Sequence, residues 1–497
     1  MDNNNQHTNN SATTGLLLEE PNVFEQSVSG REGFDFGKSD IPAVDVKLTL
    51  GTKLFRSEIA NLPELSEVDV ARHFTRLSTY NYSKDIGFYP LGSCTMKYNP
   101  KVANFAAGNP LFSETHPFQP TETAQGNLQL LYTLQNDLAE ISGMDSVTLW
   151  PAAGSHGELT GMLMIKAFHT SKGNKRSKVI IPDSAHGTNP ASAAICGYKI
   201  QQIKSNNDGL LDPSEVEKIM DEEVAAIMIT NPNTLGIFEK NFKEIANIVH
   251  AKGGLVYVDG ANLNALMGYV RMGDIGCDVM HMNLHKTFAT PHGGGGPGAG
   301  PVGVKSILAP FLPTPVLVKD KNGHVSIDKM RPQSIGRIKS FFGNFGILLR
   351  AYTYIKELGG DGLKRTSEIA VLNANYIKAR LKDFYDLPYN LPALHECVFS
   401  DKIQNQYGIK TIDIAKRLMD YGFHPPTIYF PLIVHGALMI EPTETESKDL
   451  IDQFCDAMIA IANECEHNPD LVKNSPTKPY RARLDEVKAA REPRLKI

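Results

Sequence analysis

The sequence lacks any apolar run approaching the roughly 20 residues that a membrane-spanning helix needs. It also lacks a dominant charge: 50 basic and 55 acidic side chains leave a formal net charge of −5. No global field therefore argues for a nucleic acid or an anionic membrane as partner. Cysteine is scarce and scattered. Cys94, Cys196, Cys277, Cys397, Cys455 and Cys465 contain no CxxC pair and no metal-ligand spacing. They predict reduced thiols, with neither a disulfide framework nor a metal site. Met1 to Gly15 contains no Lys or Arg, which excludes a secretory signal and an Arg-rich transit peptide. It reads as a disordered leader, and a cytoplasmic location follows by default. Two nucleotide signatures are missing as well. No GxGxxG follows the first strand, and no Gly-Lys-Ser/Thr closes a glycine loop, so Rossmann and P-loop readings both fail.

What remains is an ordinary globular composition, 41% hydrophobic and 21% charged over 497 residues. That length supports a large core and two domains or more. Residues 16–120 read as irregular, with one helix-like stretch around Glu64–Leu77. From Thr123 to Ser142, Leu128, Leu131, Leu134, Leu138 and Ile141 recur at helical spacing. Short apolar strands follow at Val147–Trp150, Lys178–Ile181, Ala225–Thr230, Gly254–Val258 and Val279–Met282. Helices are predicted between them at Gly157–Thr170, Asp212–Asp221 and Phe242–Lys252. This alternation predicts an α/β fold with a mostly parallel sheet. Helical segments at Phe341–Leu358 and Leu363–Phe384 come next. Past residue 385 the chain turns to short β-like pieces, with helices at Thr411–Tyr421 and Ser447–Cys465. The predicted organisation is a leader (1–15), an irregular segment (16–120), a large domain (121–384) and a smaller C-terminal α+β domain with a charged tail, Tyr480–Arg491 (385–497).

The chemistry-bearing residues fall in loops after the predicted strands, where α/β sheets place their active sites. The loop Ala153-Gly154-Ser155-His156-Gly157-Glu158 opens a helix, and small residues there expose backbone N–H groups and a favourable dipole to a phosphate. In Asp183-Ser184-Ala185-His186-Gly187-Thr188-Asn189-Pro190, His186 suits stacking on an aromatic ring. In Asn231-Pro232-Asn233-Thr234-Leu235-Gly236, the amides and the Thr234 hydroxyl suit a phenolic oxygen. Asp259, ending a strand before Gly260-Ala261-Asn262, is placed to keep a pyridine nitrogen protonated. Helix capping is the plain alternative for such an aspartate. Lys286 lies in His281-Met282-Asn283-Leu284-His285-Lys286-Thr287, ahead of a glycine-rich run from Gly293 to Gly300. Burial in such a setting lowers an amine pKa and frees a Schiff-base nucleophile. A lone lysine there would be read as a mobile-loop residue. The ordered set of phosphate loop, ring-stacker, aspartate and lysine is what pyridoxal 5'-phosphate requires, with no metal.

Longer runs carry a family resemblance. Tyr89-Pro90-Leu91-Gly92-Ser93-Cys94-Thr95-Met96-Lys97-Tyr98-Asn99-Pro100 is the most telling. It is joined by Arg72-His73-Phe74-Thr75-Arg76-Leu77-Ser78, His116-Pro117-Phe118-Gln119-Pro120, Gly343-Asn344-Phe345-Gly346 and Met439-Ile440-Glu441-Pro442-Thr443-Glu444-Thr445-Glu446. Over nearly its whole length the chain resembles the second subunit of the two-subunit glycine dehydrogenase (decarboxylating), the P-protein of the glycine cleavage system. The resemblance implies an aspartate-aminotransferase-like (fold type I) architecture. Lys286 would hold the cofactor as a Schiff base and Asp259 would face its pyridine nitrogen. Gly154 and Ser155 would lie in the phosphate loop, and His186 and Ala261 would sandwich the ring. Ser155 departs from an expected alanine, and its hydroxyl adds a phosphate contact.

The implied reaction takes CO2 from glycine and passes the aminomethyl group to the lipoyl arm of H-protein. His285 and the liberated Lys286 are both candidate proton shuttles, and the sequence does not choose between them. Ser93-Cys94-Thr95 reads equally as active-site lining or as a packed turn, and Glu441–Glu446 as a structural turn and helix start. The implied partner is P-protein subunit 1, in an α2β2 assembly. Two other readings stand beside this one: a different fold type I aminotransferase or decarboxylase, and a non-catalytic assembly subunit. The Tyr89–Pro100 run argues against the first, and Lys286 with Asp259 against the second.

Overall fold

The computed structural model describes residues 20–35, 37–58, 61–293, 298–479 and 481–495. The leader 1–15, residues 294–297 of the glycine-rich run and Tyr480 of the tail lie outside them. The chain forms two compact units, one of residues 88–418 and 423–474, the other of 1–87, 419–422 and 475–497.

The larger unit is built on a seven-stranded sheet. Its strands are β1 (Ser146–Thr148), β2 (Lys178–Pro182), β3 (Lys199–Ile203), β4 (Val224–Thr230), β5 (Leu255–Gly260), β6 (Val279–Met282) and β7 (Val302–Val304). They lie in the order β1-β7-β6-β5-β4-β2-β3, and only β7 runs antiparallel to its neighbours. β4 (VAAIMIT) and β5 (LVYVDG) are buried at every position. A continuous apolar run of this kind marks a central parallel strand covered on both faces. One covering helix, Phe242–Ala251, buries Phe242, Ile245, Ala246 and Val249 at i, i+3, i+4 and i+7. Another, Gln125–Ser142, buries Leu128, Leu131, Leu134 and Leu138 and stops at Gly143, whose φ of 74° gives a left-handed cap. Each large apolar side chain so buried contributes about 1.5–3 kcal/mol.

Two strands of this sheet were not anticipated, nor was the separate hairpin of Val316–Lys319 and Val325–Asp328. β3 (KIQQI) is an edge strand with only Ile203 fully buried, so its polar residues hid it. β7 is three residues long and follows the glycine-rich run. The two predicted helices near residues 341–384 form one element, Phe345–Leu381, broken at Gly359 where φ is 62° and ψ −174°. Val147–Trp150 is shifted to Ser146–Thr148: Leu149 and Trp150 are buried at 1% and 4% exposure but lie past the strand's end. A three-stranded antiparallel sheet in this unit pairs Cys397–Ser400 and Thr427–Ile428 with a central Ala437–Ile440.

The segment expected to be irregular carries helices at Val46–Leu54, Lys101–Ala107 and Pro110–Ser113 besides Glu67–Ser78. Glu67–Ser78 belongs to the smaller unit and opens with a capping box between Ser66 and Asp69. His73 and Arg76 on it both bind Glu20, at 3.0 and 2.5 Å.

In the larger unit the Tyr89–Pro100 run is fastened from beneath by Lys97. Its side chain is fully buried, and Nζ donates to Asn264 Oδ1 at 2.6 Å, Glu444 Oε1 at 2.6 Å and the Thr287 carbonyl at 3.1 Å. Removing one partner of a buried pair strands the other's charge, so Lys97→Met is expected to cost about 3–5 kcal/mol in denaturant unfolding. The double variant Lys97→Met/Glu444→Leu is expected to recover most of that loss. A single variant within about 1 kcal/mol of the parent would show that the pair behaves like an exposed one.

Candidate active site

The carboxyl ends of β1, β2, β4, β5 and β6 open onto one cavity of about 310 Å³. All eight residues expected from the sequence line it: Gly154, Ser155, His186, Thr234, Asp259, Ala261, His285 and Lys286. Their convergence follows from strand order, since the loops after parallel strands emerge at one edge of the sheet.

The helix Gly154–Ser171 begins at the cavity with no side-chain cap, leaving the N–H groups of its first turn directed there. A Cβ on Gly154 would lie 2.6 Å from Asn283 Nδ2, so any larger residue at the helix's first position would displace the Asn283 side chain. Gly298 and Gly300, beyond the undescribed part of the glycine-rich run, pack against this loop. A Cβ on Gly300 would fall 2.1 Å from the Ala153 carbonyl oxygen, so only a bare backbone fits.

Asp259 is 3% exposed at the end of β5. Its carboxylate accepts from Asn189 Nδ2 at 3.0 Å and from the Ala261 N–H at 3.0 Å, and His281 Nε2 lies 3.3 Å away. Asp259 and His281 are register partners on β5 and β6, so their side chains share a face of the sheet. His281 Nδ1 is in turn 2.7 Å from the Tyr257 hydroxyl. Burial pushes the Asp259 carboxyl upward, but the charges of His281 and Lys286 with the two hydrogen bonds outweigh it and hold the group below its ordinary pKa. Glu158, one turn into the helix, shifts the other way. Burial first, then the nearby Asp259 charge, raises it, against the bonds from Thr188 at 2.9 Å and Asn189 at 2.9 Å. Two neighbouring carboxyls are thus pushed apart, and the one at the strand end keeps its charge.

Lys286 sits in a single helical turn, Leu284–Thr287, and is 7% exposed. Its Nζ donates to the Ser93 carbonyl at 2.6 Å. Ser93 and Cys94 line the same cavity, and the Cys94 sulfur lies 3.7 Å from His292 Nδ1. His285 meets His292 edge to face, with ring centroids 4.9 Å apart. His186 is exposed and its Nδ1 is 3.0 Å from the Thr188 hydroxyl. The Thr234 hydroxyl donates to the Ser184 carbonyl at 2.6 Å, so only its lone pairs face a ligand.

Sequence reasoning assigned no role to Glu158, Asn189 or His281, and it divided Ser93-Cys94-Thr95 evenly between active-site lining and a packed turn; Ser93 and Cys94 line the cavity. His281 was recoverable, since equal distances from the ends of two adjacent parallel strands set it beside Asp259.

Two buried polar atoms on the cavity wall, Asn283 Oδ1 and Thr230 Oγ1, have no hydrogen-bond partner among the described residues. Such atoms suit a polar ligand. An open helix N-terminus, a buried carboxylate and a buried lysine in one cavity fit a phosphorylated pyridine aldehyde. Fold and site together define the class as fold type I pyridoxal-phosphate enzymes. A family profile described as aminotransferase class-V matches residues 155–295. The fold is similar to a crystal structure of glycine decarboxylase (P-protein) of the glycine cleavage system, with a TM-score of 0.69 at 21% identity, covering 84% of this chain and 94% of that one. It is also similar to a Burkholderia pseudomallei sphingosine-1-phosphate lyase, with a TM-score of 0.60 at 14% identity over 83% and 94% of the two chains.

Sequence relatives narrow the class. A profile described as glycine dehydrogenase, C-terminal domain, matches residues 366–479. The chain is 57% identical over 484 residues to a probable glycine dehydrogenase (decarboxylating) subunit 2 of Listeria innocua, covering 97% of this chain and 99% of that one. It is 57% identical over 475 residues to the protein of the same description in Lysinibacillus sphaericus, covering 95% and 98%. The chain belongs to the family of glycine dehydrogenase (decarboxylating) subunit 2, enzymes of the aminomethyl-transferring type.

Proposed function

We propose that this chain carries the pyridoxal-phosphate site at which glycine is decarboxylated, and that it delivers the remaining aminomethyl group to a lipoyl disulfide. The observation that carries this reading is the meeting of Lys286, Asp259 and the uncapped helix at Gly154 in one cavity of a chain with these relatives. In it, Lys286 would anchor the cofactor through its amine, Gly154 and Ser155 would hold the phosphate, Asp259 would serve the pyridine nitrogen, and His186 and Ala261 would flank the ring. Thr234 accepts from the phenolic edge. Bound there, pyridoxal phosphate supplies the electron sink for loss of the carboxylate.

The protein's own work is electrostatic and positional. Asp259, held charged by Asn189, Ala261 and His281, favours a proton on the pyridine nitrogen. Lys286, once released, or His285 handles the proton at the substrate carbon. In the overall balance the bond from carbon to carboxylate breaks and CO2 leaves. A bond forms from that carbon to one lipoyl sulfur as the disulfide opens, and the second sulfur takes a proton.

Subunit 1 of the same enzyme is the proposed partner, in an α2β2 assembly, with lipoylated H-protein as acceptor. The helix Val46–Leu54 supports a partner, since none of its residues is buried and Leu48 and Leu54 are 82% and 76% exposed. Division of the larger unit near residue 384 into a cofactor-binding part and a smaller one rests on the separate seven- and three-stranded sheets. A cytoplasmic location is proposed from the six free cysteines. Among the described residues no helix is long and apolar enough to cross a membrane.

The test is release of CO2 from carboxyl-labelled glycine by the purified chain with pyridoxal phosphate, subunit 1 and lipoylated H-protein. Release is expected with all components and is expected to stop when this chain is omitted. Release that persists without it would contradict the proposal.

A further inference from the structure

Beneath the cavity, the strap from Pro90 to Thr95 is clamped to the three-stranded sheet. Leu91 bridges Ile440, and the Thr427 hydroxyl donates to the Gly92 carbonyl at 2.7 Å. Ser93 then adopts φ of 63°, a left-handed conformation that a non-glycine residue holds only when its surroundings impose it. What imposes it is Glu396, whose Oε2 accepts the Ser93 N–H at 2.8 Å. The Ser93 carbonyl receives Lys286 Nζ at 2.6 Å. Two residues on, the Thr95 hydroxyl donates to Glu441.

Glu396, Glu441 and His395 are all at 0% exposure and form one cluster, with His395 Nε2 3.3 Å from Glu396 Oε1. Burial, reinforced by the Glu396 charge and opposed by His395, pushes Glu441 up to about 7. Burial pulls His395 down, but the two glutamates prevail and raise it. A cluster of ionisable groups this deep costs stability, and groups perturbed in this way gather at functional sites.

We propose that Glu396 is a positioning residue for the amine of Lys286: by gripping the Ser93 N–H it holds the strained turn whose carbonyl orients the lysine nitrogen. This rests on the reading of Lys286 as the cofactor lysine. Ser93 thereby becomes a fixed acceptor for that amine whenever its nitrogen is not bonded to cofactor. His395, with Nε2 3.3 Å from Glu396 Oε1, pairs with the other oxygen of the same carboxylate.

The experiment follows capture of pyridoxal phosphate by the full-length, cofactor-depleted chain. The amine adds to the aldehyde carbon, a C=N bond forms and water leaves, which absorbance records. Borohydride reduction and peptide mass then locate the label. Glu396→Asp keeps a carboxyl beside His395 but withdraws it by one methylene from Ser93, and is expected to capture about tenfold more slowly. Glu396→Gln keeps reach and an acceptor oxygen while losing charge, and is expected to stay within about threefold of the parent. Circular dichroism and thermal melting establish that each variant is folded. The reverse order, or equal rates in the two variants, would overturn the proposal. If Glu396→Asp does not fold, the glutamine variant decides alone: parent-like capture supports the proposal, and slow capture by folded protein overturns it. A parent chain labelled at a different lysine would instead overturn the reading of Lys286, so the two failures are distinguishable.

Discussion

Replacing Lys286 by alanine is expected to lower glycine-dependent CO2 release on the order of 10⁴-fold, with the protein still folded. The size follows from what Lys286 supplies in this account. Its amine is the covalent anchor for the cofactor and a candidate proton carrier once glycine has displaced it, so both contributions go together. Folding is expected to survive because the hydrogen bond lost goes to the Ser93 carbonyl, and Ser93 remains held through its N–H by Glu396. The measurement is CO2 release from carboxyl-labelled glycine by parent and variant, each with subunit 1 and lipoylated H-protein. A variant within tenfold of the parent would remove Lys286 from the chemistry.

Asp259→Asn is expected to lower the same rate about 10³-fold, the upper end of what removal of one preorganised electrostatic group costs. The substitution is nearly isosteric and still presents one oxygen to Asn189 or to the Ala261 N–H, so cofactor capture is expected to persist. What disappears is the negative charge, maintained in the parent against burial by His281, Lys286 and two hydrogen bonds. The sign of the pH effect follows. A depressed carboxylate pKa contributes stability that is present above the unfolded value and lost as pH falls through the folded one, so the parent weakens on acidification. Asp259→Asn is expected to flatten that part of the acid side of the stability profile. Titrating activity and unfolding together separates the two roles: a variant that loses cofactor and activity in parallel would make Asp259 a binding group only.

The parts of this molecule written in local pattern were legible. β4 and β5 stand out because a parallel strand covered on both faces must be apolar throughout, and the helix at Phe242 because its buried residues keep a strict spacing. β3 escaped because an edge strand is free to be polar, and β7 because three residues after a glycine-rich run carry no periodicity. The site divides in the same way. Gly154, Asp259 and Lys286 each follow a strand, and position after a parallel strand is enough to bring them together. Glu158 acts from within a helix, where a lone glutamate looks like any surface residue. Ser93 and Glu396 are joined across 303 positions of sequence, and only folding shows that one grips the other. The family resemblance reached further than local pattern, because the Tyr89–Pro100 run pointed to this strap without showing what it touches.

The account turns on one covalent bond, and reductive trapping tests it most directly. The purified chain is loaded with pyridoxal phosphate, reduced with borohydride and digested, and the pyridoxyl group is located by mass. The account predicts a single modified lysine, Lys286. A label on any other lysine, or a fully loaded chain with Lys286 unmodified, would contradict it.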